Sequence, residues 1–267
     1  MIKALRGCAV IFGLCALMLA AMSSAFAQKS EPPPAETFGT GTPKDVHTRA
    51  KLHTELASLY FQSGNLIVAL EELTIAISIN PNYAPAYSTR GLVLYYIKEF
   101  ESAEKDFQQA IRLDEKDPEI SNNYGWYLCQ TGKEKESIPY FQRAIRNALY
   151  RTPEVGFLNL GTCYLKMGDL ASAEDYVRRS MRFAPDNYQA LFQLALISYK
   201  RGNYDAARQH LRNVVRLSEP GADVLWLFVR VERRLGDAQS EGSFTAQLRR
   251  KYPDSPEYLE FLKGNFE

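Results

Sequence analysis

The sequence contains few of the residues from which catalytic and metal sites are built. Only three histidines occur in 267 residues, and His47, His53 and His210 stand at no metal-ligand spacing from one another or from a cysteine. No glycine-rich phosphate loop and no G-x-S-x-G nucleophile turn is present. The carboxylates fall on polar helix faces, where pairs at i, i+4 such as Glu101 with Lys105 explain many of them. We therefore predict a protein that is not an enzyme and that needs no cofactor and no metal.

The sequence also lacks a strong charge of either sign. It has 32 basic and 31 acidic residues, with a formal net charge of +1. Residues 1–27 contain Lys3, Arg6 and no acidic residue, so the rest of the chain is close to neutral as well. Proteins that bind nucleic acids or anionic lipid surfaces concentrate basic residues for that purpose. We therefore expect no nucleic-acid partner.

One apolar run occurs, and it lies at the N-terminus. Residues 9–21 are uncharged and apolar, but they are fewer than the roughly 20 residues that a membrane helix needs. Lys3 and Arg6 precede the run, and Ala25-Phe26-Ala27 has the small-x-small form of a signal-peptidase site. We predict that residues 1–27 are a cleaved signal peptide. An uncleaved N-terminal anchor is the alternative.

The cysteines near the N-terminus do not fit a lipidation site. Cys15 follows Leu14, where a lipidation site has a small residue, and Cys8 precedes the apolar run instead of ending it. Lipidation is therefore not predicted. Residues 28–46 are rich in Pro, Gly and Thr and have almost nothing to bury, so we expect a flexible lead-in there. It would serve as a tether, as a strand that binds a partner, or as a plain spacer.

A repeated pattern occupies the remaining chain, and residues 84–117 show it most clearly. Two apolar-periodic segments, 84–97 and 100–113, flank a short polar step. This spacing is typical of two amphipathic helices joined by a turn. The small residues expected at the helix crossing are Gly91, Ala103 and Ala110. One such hairpin cannot bury both of its faces, so the pattern predicts neighbouring copies.

Copies of this pattern recur with a period of 34 residues, lengthened once by two extra residues around 148–151. The units start near residues 50, 84, 118, 154, 188 and 222. Their turn positions hold Gly64, Lys98, Gly132, Gly168, Gly202 and Gly236, as expected where a helix end needs a positive φ. This period resembles the tetratricopeptide repeat (TPR). We predict an all-α fold, a TPR superhelix of six helix-turn-helix repeats over residues 47–267, including a short C-terminal capping helix near 255–262.

The resemblance to TPR proteins points to a binding groove. In a TPR superhelix the first helix of each unit lines the concave face. Large apolar residues at those positions are Phe61, Leu92, Tyr95, Tyr96, Trp126, Leu158, Leu165, Phe192, Leu196 and Tyr199. Polar neighbours expected to fix the register of a ligand are Asn122, Gln130, Lys166 and Lys200. Exposed apolar patches of this kind mark protein-binding sites, and a peptide or amphipathic helix is the natural ligand. The alternative is that a tight superhelix buries part of this set.

Two cysteines remain beyond the predicted signal peptide. Cys129 and Cys163 lie on the first helices of adjacent units 3 and 4, and such helices pack side by side. An exported protein meets an oxidising compartment in which a disulfide persists. We favour a disulfide between them. Two buried free thiols that act as small apolar groups are the alternative.

Units 3 and 4 carry a narrower pattern than the general repeat. Residues 122–129 read NNYGWYLC, an enlarged loop follows at 147–153, and residues 158–163 read LNLGTC before Gly168. In an exported chain with six repeats, this run resembles the type IV pilus biogenesis/stability proteins, the pilotin-like PilF/PilW family. The resemblance spans about 46–262 and is most specific in 122–168.

This resemblance implies a non-catalytic protein that faces the periplasm at the outer membrane of Gram-negative bacteria. Such proteins help the pilus secretin, the ring through which the fibre exits, to reach the outer membrane or to form multimers, and they stabilise the fibre. A disulfide between Cys129 and Cys163 is implied as well. Because the lipidation cysteine of the family is missing, we expect the protein to associate with the membrane through its protein partner. We also expect a monomer. A general periplasmic TPR scaffold unrelated to pili is the alternative function.

Overall fold

The computed structural model describes residues 45–266, and these form thirteen α-helices and no strand. The helices are α1 (Val46–Gln62), α2 (Leu66–Ile79), α3 (Ala84–Tyr96), α4 (Phe100–Leu113), α5 (Pro118–Gln130), α6 (Glu134–Arg146), α7 (Pro153–Lys166), α8 (Leu170–Met181), α9 (Tyr188–Lys200), α10 (Tyr204–Leu217), α11 (Ala222–Leu235), α12 (Ala238–Lys251) and α13 (Pro256–Leu262). The first twelve form six helix-turn-helix pairs, and α13 follows as a short final helix. The prediction of an all-α TPR superhelix with a final helix is confirmed. The predicted signal peptide, 1–27, and residues 28–44 of the lead-in lie outside the described residues.

The pairs turn where the repeat pattern places a helix-breaking residue. Gly64, Gly132, Gly168, Gly202 and Gly236 have φ between 75° and 82°. In unit 2 the same place is held by Lys98, whose φ is 68°. A left-handed conformation is costly for a residue with a Cβ, so the turn after α3 carries some backbone strain. This turn lies beside the exposed end of α3, which forms part of the site described below.

Within a unit, the two helices approach closely at a glycine. A Cβ built on Gly91 would lie 2.9 Å from the ring of Phe107, and one on Gly125 would lie 3.1 Å from the ring of Phe141. Real Cβ atoms do not normally come this near, so the first helix is held against the second by a ring that fills the space of a missing side chain. Both rings are fully buried. The small and large residues of the repeat therefore set the distance between the helices.

The units stack in chain order. The first helix of each later unit packs on both helices of the unit before it. The residues that make this contact near the middle of each first helix are Val93, Tyr127, Cys163, Ile197 and Val231, and all are buried. Their equivalent in unit 1, Leu59, is 63% exposed. Among the described residues, α1 therefore presents the stacking face of a repeat to solvent.

A buried ion pair fixes the helix that carries much of the predicted groove. Asp106 on α4 is buried, and the Arg90 guanidinium on α3 donates to it through Nε at 2.6 Å and Nη2 at 2.8 Å. This hydrogen bond to Asp106 raises the pKa of Arg90. A buried carboxylate needs such a partner because an unpaired charge is costly away from water. The pair locks α3 against α4 and so orients Tyr95 and Tyr96 at the end of α3.

Candidate functional site

Four of the predicted groove residues meet in one aromatic cluster: Phe61 on α1, Tyr95 and Tyr96 on α3, and Trp126 on α5. The Tyr96 ring stacks on Trp126 with centroids 6.0 Å apart, and Phe61 packs against Tyr96 at 5.3 Å with its edge. Tyr95 meets Trp126 edge-on at 4.8 Å. Offset-stacked and edge-on contacts are the favourable arrangements of aromatic rings. Three consecutive first helices thus hold one ordered group of rings.

The aromatic cluster is open to solvent at its centre. Tyr96 is 54% exposed, although its ring is held on two sides. Next to it, Ile97 and Phe100 are also exposed, and the Phe100 ring contacts Tyr95 at 5.6 Å. Phe100 was not among the predicted groove residues because it starts a second helix, α4, and the groove was predicted from first helices alone. Its apolar side chain at a helix start is the signal that would have found it.

A cavity of about 480 Å³ lies beside the aromatic cluster. Its lining residues are Tyr95, Phe100, Glu104, Tyr127, Gln130, Thr131 and Lys133. The Tyr127 hydroxyl donates to the carbonyl oxygen of Phe100 at 2.9 Å, and Lys133 Nζ lies 2.8 Å from Glu104 Oε1. The cavity therefore has aromatic walls and an ion pair at one side. Such a cavity accepts an apolar side chain and leaves polar groups for the backbone that carries it.

Three of the four predicted polar residues form hydrogen bonds between α5 and α7. Asn122 is buried and accepts from the Asn159 side-chain amide at 3.1 Å. Lys166 Nζ donates to Gln130 Oε1 at 2.6 Å. Partial withdrawal from water lowers the pKa of Lys166. These groups join α5 to α7, so a ligand that used Gln130 or Lys166 would have to share or replace this bond. Lys200 is exposed on α9.

The remaining apolar groove residues do not extend the aromatic cluster as an open strip. Leu158 and Leu165 are buried, and Leu92, Phe192 and Leu196 are partly buried against the core. Leu158 and Phe192 line a second cavity of about 480 Å³ together with Gln193, whose Oε1 atom is buried without a hydrogen-bond partner. The predicted set is thus divided between an open cluster in units 1–3 and a more enclosed surface in units 4 and 5.

Tyr199, the last of the predicted apolar groove residues, contacts Phe266. Its hydroxyl donates to the carbonyl oxygen of Phe266 at 3.2 Å. Phe266 follows α13 and lies beyond the last repeat, so the repeat pattern did not predict a role for it. An aromatic residue beyond the last repeat is the one signal that the sequence offers for it.

Cys129 on α5 and Cys163 on α7 form a disulfide in the structure, with Cα atoms 5.9 Å apart. Both residues are buried beside Phe141 and Leu160. The bond ties the first helices of units 3 and 4 together near the aromatic cluster, since Trp126 packs on the same core.

Within residues 45–266, the structure contains no helix whose length and hydropathy would let it span a lipid bilayer. Nor do these residues include three or more His, Cys, Asp or Glu side chains grouped so as to bind a metal ion.

Comparison with known proteins places this geometry in a family. A sequence model of the tetratricopeptide repeat matches residues 88–150, 158–222 and 192–256. The type IV pilus assembly protein PilF of Pseudomonas aeruginosa is 29% identical over 209 residues, which cover 78% of this chain and 83% of that protein.

Solved structures agree with the sequence match. PilW, a type IV pilus biogenesis factor, superposes with a TM-score of 0.73 at 30% identity, over 80% of this chain and 98% of that one. PilF of Pseudomonas aeruginosa superposes with a TM-score of 0.70 at 27% identity, over 82% and 99% of the two chains. The chain belongs to the tetratricopeptide repeat family and, within it, to the type IV pilus biogenesis proteins that include PilF and PilW.

Proposed function

We propose that this chain is a non-catalytic periplasmic assembly factor for a type IV pilus, which binds a segment of the pilus secretin in its concave groove. By doing so it promotes the localisation of the secretin to the outer membrane and its multimerisation, and it stabilises the pilus. It acts as a monomer, without a cofactor, and associates with the membrane through the secretin. The family membership supports the pilus role, and the exposed aromatic cluster carries the proposal that a protein segment is bound.

The aromatic cluster supports a protein ligand because it combines rigidity with exposure. Tyr96 is held by Phe61 on one side and by Trp126 on the other, so little side-chain entropy remains to be lost on binding. Over half of its surface is nonetheless open to solvent. Rigid Tyr and Trp side chains are the usual anchors of protein interfaces. The adjoining cavity beside Tyr95 would take an apolar side chain of the bound segment.

The site is tested by a charge placed at the centre of the aromatic cluster. Tyr96→Asp removes the exposed ring and puts a carboxylate where an apolar segment would bind. Loss of an aromatic anchor costs about 2 kcal/mol or more, which is about a 30-fold weaker affinity. We expect cells with this variant to lose pili and the purified variant to lose secretin binding, while its helical circular dichroism spectrum stays unchanged.

Leu149→Asp is the matched control. Leu149 lies in the enlarged loop between α6 and α7 and is 83% exposed, so this change also replaces an exposed apolar residue by Asp, but away from the groove. We expect wild-type piliation with this variant. Wild-type piliation and secretin binding by a folded Tyr96→Asp protein would refute the site. A general periplasmic TPR scaffold, the alternative function, predicts normal pili for both variants.

A further inference from the structure

The last residues described by the structure turn back into the concave face of units 5 and 6. Helix α13 ends at Leu262, and the chain reverses at Gly264, whose φ is 72°. The amide of Gly264 donates to the Phe261 carbonyl at 3.0 Å, and that of Asn265 donates to the Glu260 carbonyl at 3.0 Å. This reversal brings Phe266 onto α11 and α9 instead of away from the repeats.

Phe266 has contacts both to its ring and to its backbone, as a peptide bound in a groove has. Its ring lies 5.4 Å from that of Trp226, and the Arg233 guanidinium carbon lies 3.5 Å from its centroid. Its carbonyl oxygen accepts from the Tyr199 hydroxyl. Tyr199 is one of the predicted groove residues, and Trp226 holds in unit 6 the repeat position that Leu158 and Phe192 hold in units 4 and 5. Trp226, Arg233 and Tyr199 thus form a binding site for Phe266, which we call the seat. It provides an aromatic ring to pack on, a cation over the Phe266 ring and a donor for one backbone carbonyl.

The helix that precedes Phe266 is short and only partly buried. Helix α13 has seven residues and none of them is buried, and Leu259 and Leu262 are exposed on it. Helices this short do not persist without tertiary contacts. It packs mainly on α11, where Tyr258, Phe261 and Phe266 contact the core around Trp226. Such a terminal segment can open locally while the repeats stay folded.

We propose that residues 256–266 are an intramolecular ligand that closes the concave face of units 5 and 6. The seat below them recognises an extended segment with an aromatic side chain and a free backbone carbonyl. A partner segment of this chemistry has to displace residues 256–266, the tail, before it can bind to the seat. A ligand of the aromatic cluster in units 1–3 does not have to displace any part of the chain. This inference goes beyond the proposed function, because it does not depend on the identity of the partner or on pili.

The first test is hydrogen exchange of the full-length protein with Phe266→Ala. Loss of the seated ring should release α13, so the backbone amides of residues 259–265 should exchange at least ten times faster, while those of units 1–4 keep the wild-type rate. Leu262→Ala is the control, since it removes an exposed apolar side chain from the same helix. Unchanged exchange of residues 259–265 in Phe266→Ala would overturn the proposal, and so would equal acceleration by both variants.

The second test supplies the tail as a separate peptide with the sequence of residues 256–267. The chain has two tryptophans, so Trp126→Phe leaves Trp226 as the only one, and its fluorescence reports on the seat. Because a tethered ligand has an effective concentration of about 1 mM, ~0.1 mM peptide should not displace the intact tail. It should change the fluorescence of the Phe266→Ala protein.

A peptide with Ala in place of Phe at the position of residue 266 serves as the control and should have no effect. The proposal is overturned if the Phe266→Ala protein gives no response to the unaltered peptide. It is equally overturned if the chain with the intact tail responds at the same peptide concentration. Neither measurement involves the secretin, so its outcome is separate from that of the proposed function.

Discussion

At the scale of single residues, Gly161 lies where the two helices of unit 4 cross. Of Gly91, Gly125 and Gly161, which hold the same position in units 2, 3 and 4, it leaves the least space for a Cβ. A Cβ there would lie 2.7 Å from a methyl of Val177 and 3.1 Å from the backbone oxygen of Ala173. The backbone cannot give way as a flexible side chain can. We expect Gly161→Ala to lower the free energy of unfolding by about 1–3 kcal/mol, although alanine is the better helix former.

Gly242 on α12 is the matched control for this prediction, because a Cβ there would meet no atom within 4 Å. Gly242→Ala should raise the free energy of unfolding by about 0.5–1 kcal/mol through helix propensity alone. Urea unfolding followed by circular dichroism measures both. A change in the same direction for the two variants would show that close packing does not explain the glycine at the crossing.

Lys98 is the only non-glycine residue with a positive φ in the described part of the chain. Lys98→Gly should stabilise the protein by about 1 kcal/mol, because glycine adopts this conformation without a steric penalty. The expected rise in the thermal midpoint is about 2–4 °C. The converse change at the equivalent turn, Gly132→Ala, should lower the midpoint. A lower midpoint for Lys98→Gly would contradict this interpretation of the turn.

For single residues, the sequence predicts the position in the repeat better than it predicts the exposure of the side chain to solvent. The 34-residue period places Lys98 at a turn and Gly161 at a crossing, because both follow from the register of the repeat. It does not distinguish Tyr96, which is exposed, from Leu165, which is buried, although both were predicted to face the groove. That difference depends on how neighbouring units pack.

At the scale of elements, α1 differs from the later first helices in what covers it. Leu59 is exposed, whereas its equivalent in unit 5, Ile197, is 1% exposed. We expect Leu59→Ala to change the free energy of unfolding by less than about 0.5 kcal/mol and Ile197→Ala to lower it by about 2–5 kcal/mol. Urea unfolding measures the pair. A large loss for Leu59→Ala would show that this face of α1 is covered in the folded protein.

The disulfide joins two elements, α5 and α7, across a 34-residue separation. Closing a loop of this length restricts the unfolded chain, and the usual loop-entropy relation gives a stabilisation of about 3–4 kcal/mol. We predict that a reductant lowers the free energy of unfolding of the purified protein by that order. In a variant with both Cys129→Ala and Cys163→Ala, the same reductant should have no effect. Equal stability of the wild type with and without reductant would show that the bond is absent or without consequence.

The arrangement of helices was the most predictable level of the structure. Amphipathic periodicity and turn residues predicted six helix pairs, and Pro118, Pro153 and Pro256 stand at the first positions of helices, where proline is favoured. The contact of α13 with α11 was harder to predict from the sequence, since it depends on a few aromatic residues outside the repeat.

At the scale of the whole described domain, the predicted groove residues do not form one continuous open surface. The aromatic cluster of units 1–3 is open, while the seat in units 5 and 6 holds Phe266. The sequence predicted one groove because each first helix carries apolar residues in the same register. It could not predict the division, because the bond between Tyr199 and Phe266 spans 67 residues and follows no period.

We propose above all that this protein assists secretin assembly through its aromatic cluster. The most direct measurement is deletion of its gene, followed by gel electrophoresis of the unboiled outer-membrane fraction and detection of the pilus secretin. We predict that the high-mass secretin ring disappears, that the wild-type gene and Leu149→Asp restore it, and that Tyr96→Asp does not. An intact ring with normal pili in the deletion strain would contradict the claim.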